Sequence, residues 1–177
     1  MNCILAFSYG MVLKSEKRKA AKAFMSNRIL FYRANEVPYG PFSNFDTKHP
    51  IIVDGKTWPS TEHYFQAQKF VGTPHEEEVR VTEKPREAAA MGRERSRPLR
   101  ADWEQVKDDV MRNAIRAKFT QYPELRELLV GTGDAELVEH TTNDHYWADG
   151  GDGTGKNMLG KILMEIRKEL TSGPEEV

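Results

Sequence analysis

The strongest constraint on the fold lies in two runs of apolar residues that repeat every three to four positions. Trp103, Val106, Val110, Met111, Ala114, Ile115 and Phe119 make the first; Met158, Leu159, Ile162, Leu163, Ile166 and Leu170 make the second. Spacing of this kind paints one apolar stripe along a helix, and a helix so striped has to bury it against another element. The first run predicts the longest helix, starting at Asp102, and the second a closing helix that follows a glycine-rich loop. Shorter helices precede and separate them. Ser60 offers an N-cap for a helix through TEHYFQAQKF, ended by Gly72, Thr73 and Pro74; PREAAAMGR reads as another; Pro123 opens one through Leu129.

The strand signals are few. ILFYR after Arg28 suggests a strand, PIIVDGKTWP a hairpin turning at Asp54-Gly55, and LVEH, Leu137 to His140, a further strand. Strands do not alternate with helical crossovers, so the expected class is α+β: a single compact, mainly helical domain with a small antiparallel sheet. Its expected span is 28–171. Residues 1–27 form an expected extension, an apolar start (Cys3 to Phe7) followed by Lys14, Lys17, Arg18, Lys19 and Lys22, and residues 172–177 a short tail.

Length and charge exclude several functions. A chain of 177 residues buries roughly 70% of its unfolded surface, enough for a core without disulfides or a structural metal. Lys and Arg number 26 against 27 Asp and Glu, a net charge of -1, so no global basic field draws the protein onto nucleic acid or anionic lipid. The lone Cys3 allows no internal disulfide and no multi-cysteine metal site. No apolar run approaches the ~18 residues that span a bilayer, and the basic run follows the apolar start, the reverse of a secretory signal. A cytoplasmic protein without a membrane contact is expected.

The familiar catalytic signatures are missing: HExxH, GxSxG and GxGxxG are absent, and His49, His63, His75, His140 and His145 show no ligand spacing. No metal and no cofactor are expected. GGDGTGKN, Gly150 to Asn157, has the GxxxxGK of a phosphate loop but ends in Asn157 where Ser or Thr should stand, and no apolar strand precedes it. It reads as a glycine-rich turn into a helix N-terminus.

Glu62, Gln66 and Lys69 are spaced by four and three residues and share one helix face, Glu62 and Lys69 about two turns or roughly 10 Å apart. Read alone, such a face is more often that of a solvated Glu/Lys pair. RERSRPLR brings together Arg93, Arg95, Arg97 and Arg100, whose forked guanidinium groups suit phosphate. Trp58, Trp103 and Trp147 are core anchors or base-stacking platforms. The loop NDHYWADGGDG carries Asp144, Trp147 and Asp149, and paired carboxylates are the usual equipment for cleaving a glycosidic bond.

PYGPFSNF, DGKTWPSTEHYFQAQKF, MGRERSRPLRADWEQVKDDVMRNAIRAKF and LVEHTTNDHYWADGGDGTGKNMLGKIL, in that order, resemble the NADAR family, and within it the bacterial N-glycosidases of riboflavin biosynthesis intermediates. The resemblance runs from about Phe31 to Arg167. It implies a metal-free hydrolase that splits ribose 5-phosphate from the amine of an aminopyrimidine. The family's Glu and Lys fall on Glu62 and Lys69, its Trp-Asp loop on Trp147 and Asp149, and its Gly-Arg on Gly92 and Arg93.

On this reading Lys69 is the nucleophile, forming a Schiff base at the anomeric carbon, and must lose its proton despite a reference pKa of about 10.4. Glu62 shuttles protons and Asp149 orients water or sugar hydroxyls. Asn44, Gln66, Arg93, Arg95, Trp103, Asp144, Trp147 and Asn157 are the candidate substrate-binding residues. The partner is a small ribosylamine phosphate. Two alternatives remain open: an ADP-ribosyl-guanine hydrolase acting on nucleic acid, as other family members are implied to be, and a module that binds NAD or ADP-ribose without turnover.

Overall fold

A computed structural model describes residues 27–172. The basic extension and the end of the tail lie outside the described residues.

The apolar stripes and caps translate into ten elements in chain order. These are β1 (Arg28–Phe31), β2 (Ile51–Val53), β3 (Lys56–Trp58), α1 (Thr61–Ala67), α2 (Pro74–Arg80), α3 (Pro85–Met91), α4 (Trp103–Gln121), α5 (Pro123–Val130), β4 (Glu136–Glu139) and α6 (Met158–Ser172). Ser60 caps α1 as its sequence predicts: its backbone is extended and its Oγ accepts the His63 N–H at 3.3 Å. After Ala67 the helix tightens into a 3-10 turn over Gln68–Phe70. Pro74 does more than end it. The fixed φ of proline suits a first helical position, and α2, not foreseen from the sequence, begins there.

The sheet is smaller and less regular than expected. β2 and β3 form the antiparallel hairpin, with Ile51 opposite Trp58, and both turn residues, Asp54 and Gly55, have positive φ (51° and 73°). That conformation explains the Asp-Gly pair, since glycine enters it without steric cost. The other strands correct the all-antiparallel expectation. β1 and β4 pair in parallel, Arg28 opposite Glu136 and Phe31 opposite Glu139, with α1 to α5 lying between them in sequence.

α4 packs on α6, and α6 on β4, so the two stripes bury one another. Phe31, Phe42 and Phe119 meet edge to face at 5.6 and 5.7 Å between ring centres; burying each such ring contributes about 1.5–3 kcal/mol. His63 is fully buried on α1. Its Nε2 lies 3.2 Å from the Thr82 carbonyl, which can only accept, so that nitrogen carries the proton, and Nδ1 accepts from Ser60 Oγ at 2.8 Å. Burial holds it neutral, below the usual histidine range, although the Thr82 carbonyl and Glu87 oppose the shift.

One ion pair is also sealed inside. Lys118 Nζ of α4 lies 2.8 Å from Asp46, both side chains almost without exposure, and donates to the carbonyls of Pro41 at 2.6 Å and Ser43 at 3.4 Å. Burial alone would raise the Asp46 carboxyl, but Lys118, the bond to His49 and the Lys48 N–H outweigh it and keep the group ionised. The pair pins the loop from Pro41 to Asp46, which in turn reaches α1: the Asn44 carbonyl accepts the Glu62 N–H at 3.1 Å.

Candidate active site

A cleft of about 450 Å³ opens among α1, α3, α4, β4, the pinned loop and the loop before α6, a size typical of small-ligand sites. Its wall is aromatic. Phe65 meets Trp103 at 5.0 Å and Trp147 at 5.2 Å, and Tyr146 meets Trp147 at 5.2 Å, all edge to face.

Two groups on α1 and its 3-10 extension carry charge into this wall. The Glu62 side chain is buried and accepts from Gln66 Nε2 at 2.7 Å. Burial pushes its carboxyl above the usual range; the Gln66 bond and the charges of Lys69 and Arg93 oppose this, and Asp144 adds to it. Lys69 Nζ donates to the Gly92 carbonyl at 2.9 Å and lies 5.5 Å from the Trp103 ring centre and 5.7 Å from that of Phe65. Desolvation, helped by Arg93 and Arg95 and opposed by Glu62 and Glu104, brings the ammonium down to about 8. At pH 7 roughly a tenth of such lysines are free amine, against a few in ten thousand at the reference value.

Gly92 serves both groups. Besides receiving Lys69, its α-carbon faces Gln66 so closely that a methyl group there would overlap the Gln66 amide oxygen. That oxygen is buried and has no hydrogen-bond partner among the described residues.

The four arginines divide. Arg97 is taken up by Glu78 and Glu94, and Arg100 by Asp102. Arg93 and Arg95 stay exposed and without an ion pair among the described residues, and Arg93 lines the cleft.

The structure brings eight of the eleven expected site residues into one lining: Asn44, Glu62, Gln66, Lys69, Arg93, Trp103, Asp144 and Trp147. Arg95, Asp149 and Asn157 are not in it. Arg95 acts on Lys69 through its charge alone. The Asp149 carboxylate is spent on His140 Nδ1 at 2.8 Å and the Gly151 N–H at 2.9 Å, which hold it ionised against burial. Asn157, buried with φ 51°, uses its side-chain amide on the Glu139 N–H and the Leu137 carbonyl. Both residues therefore tie the glycine-rich loop to β4. Asp144 does line the cleft, while its Oδ1 accepts the N–H groups of Tyr146 and Trp147 at 2.7 and 2.6 Å.

Sequence reasoning missed Glu139, at the end of β4. It lines the cleft, half-buried, and burial together with Asp144, Glu62 and Asp149 raises its carboxyl to about 8. Tyr32, Phe45 and Tyr146 were missed as well; Phe45, beside Asn44 in PYGPFSNF, and Tyr146, inside the aromatic-rich NDHYWAD loop, stood in motifs that could have found them.

A mainly helical α+β domain with a lysine of lowered pKa and buried carboxylates in an aromatic cleft is the framework of an enzyme acting on a small polar molecule. Residues 30–171 match the NADAR domain, and the chain belongs to that family. It is 57% identical over 146 residues to N-glycosidase YbiA of Escherichia coli, covering 82% of this chain and 91% of that protein. It is 44% identical over 148 residues to riboflavin biosynthesis protein VVA0006 of Vibrio vulnificus, covering 82% of this chain but 39% of that longer protein. The NMR structure of E. coli YbiA superposes with a TM-score of 0.78 at 56% identity, over 85% of this chain and 89% of that one.

Proposed function

We propose that this chain is an N-glycosidase that hydrolyses the bond between ribose 5-phosphate and the amine of an early riboflavin intermediate, an aminopyrimidine. The observation that carries the reading is Lys69, whose amine is brought to about 8 inside an aromatic cleft shared with Glu62. The names of the relatives, N-glycosidase and riboflavin biosynthesis protein, support the bond and the substrate class. Among the described residues no helix is long and apolar enough to cross a membrane, and a cytoplasmic setting belongs to the same reading.

The chemistry follows from the charges. The Lys69 amine attacks the anomeric carbon and displaces the aminopyrimidine. Glu62 takes the proton that the new secondary ammonium loses and delivers it to the ring oxygen as the sugar opens, leaving a protonated Schiff base for water to hydrolyse. Arg93 receives the phosphate, and Trp103 and Trp147 cover the pyrimidine. Arg95 adds to burial and Arg93 in lowering the proton affinity of Lys69; Asp149 and Asn157 act by holding β4 and its loop.

The test is release of ribose 5-phosphate from freshly generated ribosylaminopyrimidine phosphate, run beside guanine-ADP-ribosylated DNA. Borohydride added during turnover should fix one sugar phosphate on Lys69, read by mass. Lys69→Ala should lose at least about 10³-fold in turnover and all trapping. Near-full activity in that variant overturns the Schiff base, and activity on the DNA alone overturns the substrate.

A further inference from the structure

We propose that Glu139 is the acid that protonates the departing amine nitrogen, a catalytic role separate from that of Glu62. The proposal rests on the N-glycosidase reading above and assigns one of its proton transfers.

Glu139 ends β4, after the buried Leu137 and Val138, and its backbone is held on every side. Its N–H donates to Asn157 Oδ1 at 3.0 Å, its carbonyl accepts the Asp149 N–H at 2.9 Å, and it stands opposite Phe31 in the parallel ladder. The side chain reaches the same cleft as Glu62 and Lys69. Every neighbouring carboxylate is committed: Glu62 to Gln66, Asp144 to two N–H groups, Asp149 to His140 and Gly151. The Glu139 carboxyl alone among these four has no hydrogen bond or ion pair among the described residues. A carboxyl on a firmly held backbone, without a cation or donor, in a cleft shared with Glu62 and Asp144 and near Asp149, keeps its proton. Burial first, and then Asp144, Glu62 and Asp149, hold it protonated to about pH 8. Such a group is ready to give a proton at neutral pH, as a carboxylate paired with a cation is not.

The step balances. As the Lys69 nitrogen bonds to the anomeric carbon, the carbon–nitrogen bond to the aminopyrimidine breaks and its electron pair stays on the leaving nitrogen. That nitrogen takes the Glu139 proton and departs as a neutral amine. The Glu139 carboxylate then removes a proton from the water that adds to the Schiff-base carbon, which restores the acid for the next turnover.

The test uses the full chain and two arylamine probes, the ribosylamine 5-phosphates of aniline and of 4-nitroaniline. The second amine is a far weaker base and needs little help to leave. Glu139→Gln should cut turnover of the aniline probe by about 10²–10³-fold, within the range for a lost general acid, and of the nitroaniline probe by less than about tenfold. The alkaline limb of the wild-type kcat/KM profile, near pH 8, should disappear in the variant. Because glutamine matches the protonated carboxyl in shape, the variant should melt no lower than the wild type at pH 7, which separates a lost acid from a lost fold. Equal losses on both probes with the alkaline limb intact overturn the role of Glu139 and leave the glycosidase reading standing. A wild-type enzyme that releases sugar phosphate from neither probe nor the aminopyrimidine overturns both.

Discussion

The same residue types, lysine and carboxylate, are buried twice in this molecule, with opposite results. At Lys118 and Asp46 every hydrogen-bonding site is filled: the ammonium holds two carbonyls and a carboxylate 2.8 Å away, and His49 takes the same carboxylate. In the cleft, Lys69 has one carbonyl, Glu62 one amide and Glu139 nothing among the described residues. Burial pulls the Lys118 ammonium down as it does Lys69, but Asp46 opposes the shift at 2.8 Å, and the pair holds a loop in place. In the unfilled set the Lys69 ammonium is drawn down and both carboxyls are pushed up, which brings donor and acceptor closer in proton affinity, as proton transfer requires. The cleft thus leaves uncompensated the cost of burying charge that the bonds of the sealed pair offset.

Breaking the sealed pair should have the largest effect on the fold. Lys118→Met leaves a buried, unpaired Asp46 and should cost about 3–5 kcal/mol, read as a fall in melting temperature of about 2–4 °C for each kcal/mol. Adding Asp46→Leu should return most of the loss. If the single variant melts like the wild type, the contrast between the two clusters fails.

Gly92→Ala tests the join between Lys69 and Glu62. The added methyl group displaces Gln66 from Glu62 and should cost about 1–3 kcal/mol by overpacking. Turnover should fall by up to about 10²-fold, as misplaced catalytic groups do. A variant of normal activity would mean that Gln66 does not position Glu62.

The smallest effect is the most diagnostic. Lys69 titrates near 8 in the folded chain and near 10.5 when unfolded, so between those values the unfolded state binds more protons and stability rises with pH. Below pH 8 the full cost is present. Lys69→Met should therefore melt slightly higher than the wild type at pH 7, the gap closing toward pH 10, while turnover is lost. Glu139 has the opposite sign: its proton is held to about 8 in the folded chain but lost near 4.5 when unfolded. It costs nothing below pH 4.5, where both states hold the proton, and its unfavourable contribution grows as pH rises to 8. Glu139→Gln should melt like the wild type at pH 4.5 and higher at pH 9.

The legible parts of the site were those written within one helix turn or one loop. The shared face of Glu62, Gln66 and Lys69 follows from the Ser60 cap and a helical spacing, and Trp103 from the apolar stripe of α4, while the family resemblance turned that face from a solvated pair into a site. Glu139 was illegible because LVEH is an ordinary strand; its raised proton affinity comes first from burial and then from Asp144 and Glu62, which only the folded chain supplies. Asp149, matched to the family's Trp-Asp loop, and Asn157 lie outside the cleft lining, because His140 and the Gly151 N–H take the one side chain and the backbone of β4 takes the other. Pro74 was read as a stop, when proline equally marks a start.

The parallel pairing of β1 with β4 also sets an order of assembly. Its partners lie more than a hundred residues apart, and so long a loop has to be closed before the ladder returns any favourable energy. The helices α1 to α5 are contiguous in sequence and can dock on one another first. A refolding chain should therefore regain its helical signal before its turnover, because the wall that bears Glu139 is the last part of the cleft to arrive.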